Sequence, residues 1–325
     1  MKNPGNESSI LRGWKLSLSL LCLVVMVLGL MLAAGADFDY AELRSLFARL
    51  GPGLIAVLLL LSCVNFLLRA LRWHFFTRRL GLAIGTGDSL AYYLAGFSLG
   101  LTPGRMGEII RLWLINRDHH ICYHRSMPVL IADRVNDLMV IVLLALGAGM
   151  MSKAGSLAYV VPALLLLGVA NIALRHPSGL LALVNALYAI TRRGRRLFAA
   201  ARRTLRTGRE MFSLRNASLA SVLSVVAWLA ECLAFYLLLS ALDAEVSLAL
   251  ASFIYTFATL LGALSFLPGG LGGFELSAVI LLSAQGVDPG LAVFATSVIR
   301  LSTLSFSVAL GSLFLAYLLS RTRSR

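Results

Sequence analysis

The sequence predicts an all-α polytopic membrane protein with six full spans plus two opposed re-entrant helical hairpins, about eight hydrophobic segments in all. Three observations lead there. The chain is 59% hydrophobic and 14% charged, with a mean hydropathy of +0.85, which leaves more apolar surface than a water-soluble fold can hide. Six apolar runs, at 16–34, 53–68, 128–150, 156–174, 218–241 and 289–318, are near or above the ~20 residues a helix needs to cross ~30 Å of hydrocarbon. Two further apolar stretches are broken by proline and glycine, at "TPGRMG" (102–107) and "PGGLGG" (268–273).

The first span follows Lys2, Arg12 and Lys15 and ends near "AGA" at 34–36. The run is long for a signal-peptide core and reads as an uncleaved span. Basic residues then set the orientation. With the N-terminus inside, the loop carrying Asp37, Asp39 and Glu42 lies outside, and the second span ends inside at Arg69, Arg72, Arg78 and Arg79. The next cluster, Arg117, His119, His120 and Arg125, also reads as cytoplasmic. One crossing between the two clusters would invert every later loop and put the arginine-rich connector outside.

A re-entrant hairpin resolves the conflict. Residues 88–101 enter from the cytoplasm, the chain turns at Pro103, Gly104 and Gly107, and 107–116 leave on the same side. Fourteen residues at 1.5 Å each reach about 21 Å, short of a crossing. Proline removes a donor and glycine permits a tight turn, so the helix breaks there. The third and fourth spans follow, and then the connector 178–215.

That connector carries Arg192, Arg193, Arg195, Arg196, Arg202, Arg203, Arg206, Arg209 and Arg215, interleaved with Leu197, Phe198, Leu205, Met211, Phe212 and Leu214. It reads as a basic amphipathic helix on anionic headgroups at 192–215, and no nucleic acid partner is expected. The fifth span ends outside at Asp243 and Glu245. The second hairpin, 247–266 and 273–285, turns at Pro268, Gly269, Gly272 and Gly273 and enters from the outer face. The last span delivers Arg321, Arg323 and Arg325 to the cytoplasm. The protein is therefore read as a single domain, 1–325, in a bacterial-type plasma (inner) membrane with both termini cytoplasmic.

The hairpins align with each other. Glu108 follows the first turn and Glu275 the second; Arg134 lies 26 residues past Glu108, and Arg300 25 residues past Glu275. The order suggests repeat-like halves, about 53–175 and 218–318, related by a two-fold axis in the membrane plane. Matched Gly/Pro-interrupted segments of this kind point to a midplane binding site.

Ionisable residues inside spans need a partner or a wet cavity. Here they are Glu108, Asp133, Arg134, Asp137, Glu231, Glu275 and Arg300, with Asp133 and Asp137 four apart on one helix face. A binding reading makes Arg134 and Arg300 phosphate ligands, since guanidinium keeps its charge and offers a forked donor set. Glu108 and Glu275, with Asp133 and Asp137, would contact the rest of a headgroup or carry a proton. A structural reading instead pairs Glu108 with Arg134 and Glu275 with Arg300, locking each hairpin to its span.

No cofactor, metal or catalytic residue is expected. The chain has no GxSxG, HExxH or Gly-rich phosphate loop. Its four cysteines, Cys22, Cys63, Cys122 and Cys232, lack CxxC spacing. Asp118, His119, His120 and His124 crowd one loop, which reads as interfacial in preference to metal-binding.

"TPGRMGEIIRLWLI", "IADRVNDLMVIVLLALG" and "FLPGGLGGFELSAVILL", with Arg300 downstream, resemble the lysylphosphatidylglycerol synthase transmembrane region, or flippase-like domain. The likeness runs from about residue 10 to 318. It implies a domain that moves lipids across the bilayer, as in aminoacyl-phosphatidylglycerol resistance factors, where a separate soluble domain makes the lipid. No such domain is recognisable here, so synthase activity is not expected. By motif, Pro103, Gly104, Gly107, Glu108, Asp133 and Arg134 match the first block of the family, and Pro268, Gly269, Gly272, Gly273, Glu275 and Arg300 the second. The expected function is an integral membrane lipid flippase or transporter for a phosphate-bearing lipid. The alternatives are a scaffold or regulatory subunit of a lipid or envelope-glycan pathway and a membrane-embedded lipid transferase.

Overall fold

The computed structural model describes residues 46–102, 107–152, 178–191, 195–208, 214–265 and 267–321. The expected first and fourth spans, Pro103 and Gly104, Arg192, Arg193 and Arg209, and the last two arginines lie outside the described residues. All regular elements among the described residues are helical.

Helix α1 (Pro52–Arg79) opens on a proline, whose missing N–H is no loss in a first turn. Helix α2 (Thr86–Ala95) continues into a 3-10 turn (Gly96–Leu99), and α3 (Ile109–His119) returns. Helix α4 (Tyr123–Met151) follows. Beyond it are α5 (Ser178–Thr191), α6 (Arg195–Gly208) and α7 (Leu214–Ala241). Helix α8 (Leu248–Leu264), a 3-10 turn (Pro268–Gly270) and α9 (Gly273–Ser283) form the second broken segment. Helices α10 (Pro289–Arg300) and α11 (Phe306–Arg321) are joined by a π turn (Leu301–Ser305). The widened turn directly follows Arg300.

Among the described residues, three stretches are long and apolar enough to cross a membrane: Pro52–Arg79, Asn216–Ala241 and Pro289–Arg321. Helix α4 has 29 residues but carries Asp133, Arg134 and Asp137, which lowers its apolarity without shortening it. The arms of the broken segments are shorter, 10, 11, 17 and 11 residues in α2, α3, α8 and α9. At 1.5 Å per residue these helices reach only about 15–26 Å. The first break lies between Leu99 and Ile109, and the second is the turn at Pro268–Gly270. In the second, Gly269, Gly270 and Gly272 hold φ of 63°, 70° and 83°, a region that a β-carbon disfavours.

The helices interlock across the two halves of the sequence. Helix α7 packs along α1, α4 packs on α8, and α11 packs on α2 and its 3-10 extension. Lipid tails are as apolar as leucine, so close backbone approach and buried polar contacts hold membrane helices together. Gly311 supplies one such approach, since a β-carbon there would lie 2.5 Å from the Ser98 nitrogen and 2.8 Å from the Leu94 oxygen. Two apolar clusters flank the centre. One joins α7 to α10 with the start of α1, around Phe235, Leu238, Tyr255 and Phe274. The other gathers Trp73, Phe76, Tyr92, Tyr93 and Leu112 around the first broken segment. Arginines contact both: Arg69 lies over Trp228 of the first cluster, and Arg111 over Trp73 and Tyr93 of the second.

Candidate functional site

Helix α4 supplies the acidic centre. Its i, i+4 spacing turns Asp133 and Asp137 toward α1, and both are buried. Asp133 Oδ1 accepts from Arg72 Nε at 3.0 Å and Nη2 at 2.5 Å, and its Oδ2 accepts from Arg134 Nη2 at 2.8 Å. Asp137 accepts from Arg69 at 2.8 Å, from Arg72 at 2.6 Å and from the Trp228 indole at 3.3 Å. Arg134 lies 3.2 Å from Asp137 and 3.0 Å from Glu108. Arg72 also reaches Ser224 on α7, whose hydroxyl donates to Asn136 at 2.5 Å. The cluster therefore ties α1, α4 and α7 together.

Arg111 completes it in a different way. Its side chain is fully buried, 3.5 Å from Asp133, with the guanidinium carbon 3.8 Å from the Tyr93 ring centre and 5.3 Å and 5.5 Å from those of Trp73 and Phe97. An aromatic box replaces water around this cation. The Arg111 side chain also lies where a β-carbon on Gly96 would fall. Four arginines, Arg69, Arg72, Arg111 and Arg134, thus face three carboxylates, Asp133, Asp137 and Glu108. Arg134 is the most open of the four, with 27% of its side chain exposed.

In the second half, Glu275 is fully buried at the start of α9. It accepts from the Gly272 N–H at 2.7 Å and from Arg300 Nε at 2.6 Å. Arg300 Nη2 donates to the Gly269 carbonyl at 2.7 Å, and its guanidinium sits over the Phe274 ring. One arginine thereby fixes both the turn and the helix that follows it.

Among the described residues, these groups line two cavities. The larger, about 330 Å³, has Glu108, Arg134 and Asp137 at a polar end and Leu130, Leu138, Ile141, Leu260, Ala263 and Leu267 along its apolar walls. The smaller, about 100 Å³, is lined among others by Arg69, Glu108, Glu231, Tyr255 and Arg300. Glu108 and Thr259 line both.

The geometry brings Glu108, Asp133, Arg134 and Asp137 into one cluster and Glu275 and Arg300 into another, with Glu108 and Arg300 on a shared cavity. Both expected Glu–Arg pairs form, yet Glu108 and Arg134 also line the larger cavity, so structural and binding roles meet in the same residues. Gly107 N–H donates to Thr102 Oγ1 at 3.0 Å across the first turn. Pro268 begins the second turn, and Gly273 the helix after it.

Sequence reasoning missed Arg69, Arg72 and Arg111. The sequence groups Arg69 and Arg72 with Arg78 and Arg79 at the inner end of a span. Instead α1 runs on without a break, Arg69 and Arg72 turn inward, and only Arg78 and Arg79 are exposed. Where the sequence points to Arg134 alone, the described residues place four arginines in the buried cluster of the first half. The signal was present, because two aspartates on one face of α4 cannot be neutralised by Arg134 alone.

Outside this centre, Asp118, expected in a loop, lies in the last turn of α3, where it is held by Arg117 at 2.5 Å and by the Tyr92 hydroxyl at 2.7 Å. Partial burial acts to raise its carboxyl, but these hydrogen bonds outweigh it and hold the group below the ordinary carboxylate range.

The chain matches the lysylphosphatidylglycerol synthase TM region over residues 15–311. It is similar to a UPF0104 membrane protein of Methanothermobacter thermautotrophicus, 24% identical over 299 residues, which cover 85% of this chain and 88% of the relative. A second match of the same name and organism is 39% identical over 93 residues, 29% of this chain and 28% of the relative.

Proposed function

This multi-pass membrane protein belongs to the lysylphosphatidylglycerol synthase transmembrane family, and from that premise we propose that it is a lipid flippase or transporter moving a phosphate-bearing lipid between leaflets. The observation that carries this reading is the larger cavity. One end offers a cation, Arg134, for a phosphate, beside the carboxylates of Glu108 and Asp137, and the remaining walls are mostly leucine, isoleucine and alanine, with Thr259, Gly262 and Gly270 among them. That division suits a lipid better than a wholly polar solute, because tails can leave along apolar walls while the headgroup meets charge.

The proposed topology has six full spans and two hairpins entering from opposite faces of a plasma membrane, with both termini cytoplasmic. Two contacts support this sidedness. Arg49 pairs with Asp243 at 2.8 Å, both assigned outside, and Arg321 pairs with Asp88 at 2.9 Å, both assigned inside. The packing supports an inverted repeat. If α1, α2, α3 and α4 correspond to α7, α8, α9 and the α10–α11 helix, the α4–α8 and α11–α2 contacts become equivalents under one two-fold axis. Rocking of one half against the other would then expose the headgroup to each leaflet in turn. The basic connector would rest on anionic headgroups, where Arg202 stacks over Tyr188 and Arg203 is exposed.

A scaffold or regulatory role is the second reading, favoured by the prior engagement of Arg134 and Arg300 in ion pairs. Reconstitution separates the two. The purified protein is placed in vesicles with fluorescent phospholipids and polyprenyl-phosphate lipids, and leaflet exchange is compared for wild type, Arg134→Ala and Arg300→Ala. Transport predicts exchange in wild type and its loss in both variants while they remain folded. Absence of exchange for every lipid, in vesicles with and without an imposed ion gradient, favours the scaffold.

A further inference from the structure

Among the described residues, the buried aspartates and Glu275 are each met by an arginine. Asp133 faces Arg72 and Arg134, Asp137 faces Arg69 and Arg72, and Glu275 faces Arg300. Glu231 on α7 departs from that pattern. It is 3% exposed, and among the described residues no arginine or lysine lies within ion-pair distance of it. The Tyr255 hydroxyl donates to its Oε2 at 3.0 Å. The residue is not sealed in apolar packing, because it lines the smaller cavity with Arg69, Arg300 and Glu108.

We propose that Glu231 is a proton-binding site, loaded when a phosphodiester anion enters the smaller cavity between Arg69 and Arg300. The inference rests on the lipid-headgroup reading above, extends it from the larger cavity to the smaller one, which shares Glu108 and Thr259 with it, and adds a coupling ion. About 100 Å³ matches a phosphate-sized group or some three waters at ~30 Å³ each. The groups facing Glu231 are Tyr255 from α8, Arg69 from α1, Arg300 from α10 and Glu108 from the start of α3, with Trp228 and Cys232 on its own helix. Arg69, Arg300 and Glu108 are already committed to Asp137, Glu275 and Arg134.

An incoming phosphodiester would draw on Arg69 and Arg300 and set a second negative charge beside the Glu231 carboxylate. Like charges in a poorly hydrated space disfavour joint ionisation. A proton from cavity water then bonds to a Glu231 carboxylate oxygen, while the Tyr255 hydroxyl continues to donate to Oε2. One negative charge and one proton enter together, so the loaded cavity keeps the net charge of the empty one. A proton gradient would thereby set the direction of lipid movement.

The test uses the full-length protein in detergent and two phosphodiester probes that do not titrate near neutrality, dihexanoyl phosphatidylglycerol and its deacylated headgroup, glycerophosphoglycerol. Calorimetry in buffers of different ionisation heat counts protons taken up per probe bound. Wild type is expected to take up about one proton, with affinity falling up to tenfold per pH unit as the pH rises. Glu231→Gln should bind without uptake and with no pH dependence. Tyr255→Phe, which removes only the donor to the carboxylate, should keep the uptake and shift the fall to higher pH. That shift decides the matter if Glu231→Gln does not fold.

Uptake that persists in a folded Glu231→Gln protein, wild-type binding without uptake, or a Tyr255→Phe profile that does not move overturns the proton site and leaves the lipid reading standing. Failure of wild type to bind either probe overturns the headgroup reading, and the proton site with it. With uptake established, preference for the acylated probe assigns the site to a lipid headgroup, and equal binding assigns it to free phosphodiesters.

Discussion

Replacing Arg72 with methionine tests whether the acidic face of α4 is held by shared arginines. Arg72 has no exposed side-chain surface and contacts both Asp133 and Asp137, through Nε, Nη1 and Nη2. Breaking a buried pair by removing one partner costs about 3–5 kcal/mol. Each aspartate keeps a second cation, Arg134 for Asp133 and Arg69 for Asp137, which places the expected loss near the lower end, about 3 kcal/mol. Arg111→Met should cost less, about 1–2 kcal/mol, because it removes chiefly a desolvated cation–π contact and one ion contact at 3.5 Å. Equilibrium unfolding in mixed micelles measures both. Adding Asp133→Asn to Arg72→Met should recover about 2 kcal/mol of the summed single losses. Equal losses for Arg72→Met and Arg111→Met, or strict additivity of the pair, would refute the shared-arginine account.

Other predictions follow from single contacts. Gly311→Leu should drive α11 away from the backbone at Leu94 and Ser98, seen as faster hydrogen exchange in both α2 and α11; unchanged exchange in α2 would remove that contact from the account. Gly272→Ala must hold φ near 83° and should lose about 1–3 kcal/mol of stability, read as a lower unfolding midpoint. Asp118, held below the ordinary carboxylate range, contributes stability that is present at neutral pH and lost as acid protonates it. Asp118→Asn should therefore weaken the protein at neutral pH and flatten its response below about pH 4. For topology, Cys122 kept as the sole cysteine and Gln285→Cys in a cysteine-free background, both exposed, should label from opposite faces of the membrane; labelling from one face contradicts the opposed hairpins.

The helices and their interruptions were legible because they follow from single-residue chemistry. Proline cannot donate and positive φ favours glycine, so 102–107 and 268–273 announced breaks whatever surrounded them. The Glu108–Arg134 and Glu275–Arg300 pairs were legible for a similar reason, since a charge in an apolar run needs a partner. Arg69, Arg72 and Arg111 were not, because a flanking arginine reads the same whether it faces headgroups or turns inward. Only the register decides, and the buried face of α1, with Asn65, Arg69, Arg72 and Phe76 at helical spacing, becomes recognisable once α4 supplies its aspartates. Glu231 stood out as a charge needing a reason, but its lack of an arginine partner is a fact of three-dimensional packing.

The central claim, that the space between the two halves is the route for a headgroup, is tested most directly by blocking it. Thr259 lines both cavities and is partly exposed. Thr259→Cys in a cysteine-free background can be capped with a charged methanethiosulfonate reagent after reconstitution with fluorescent phospholipids. The account predicts leaflet exchange before capping, a fall to the protein-free rate after it, and recovery once a reductant removes the cap. Exchange that continues at the uncapped rate in fully modified protein would contradict the account.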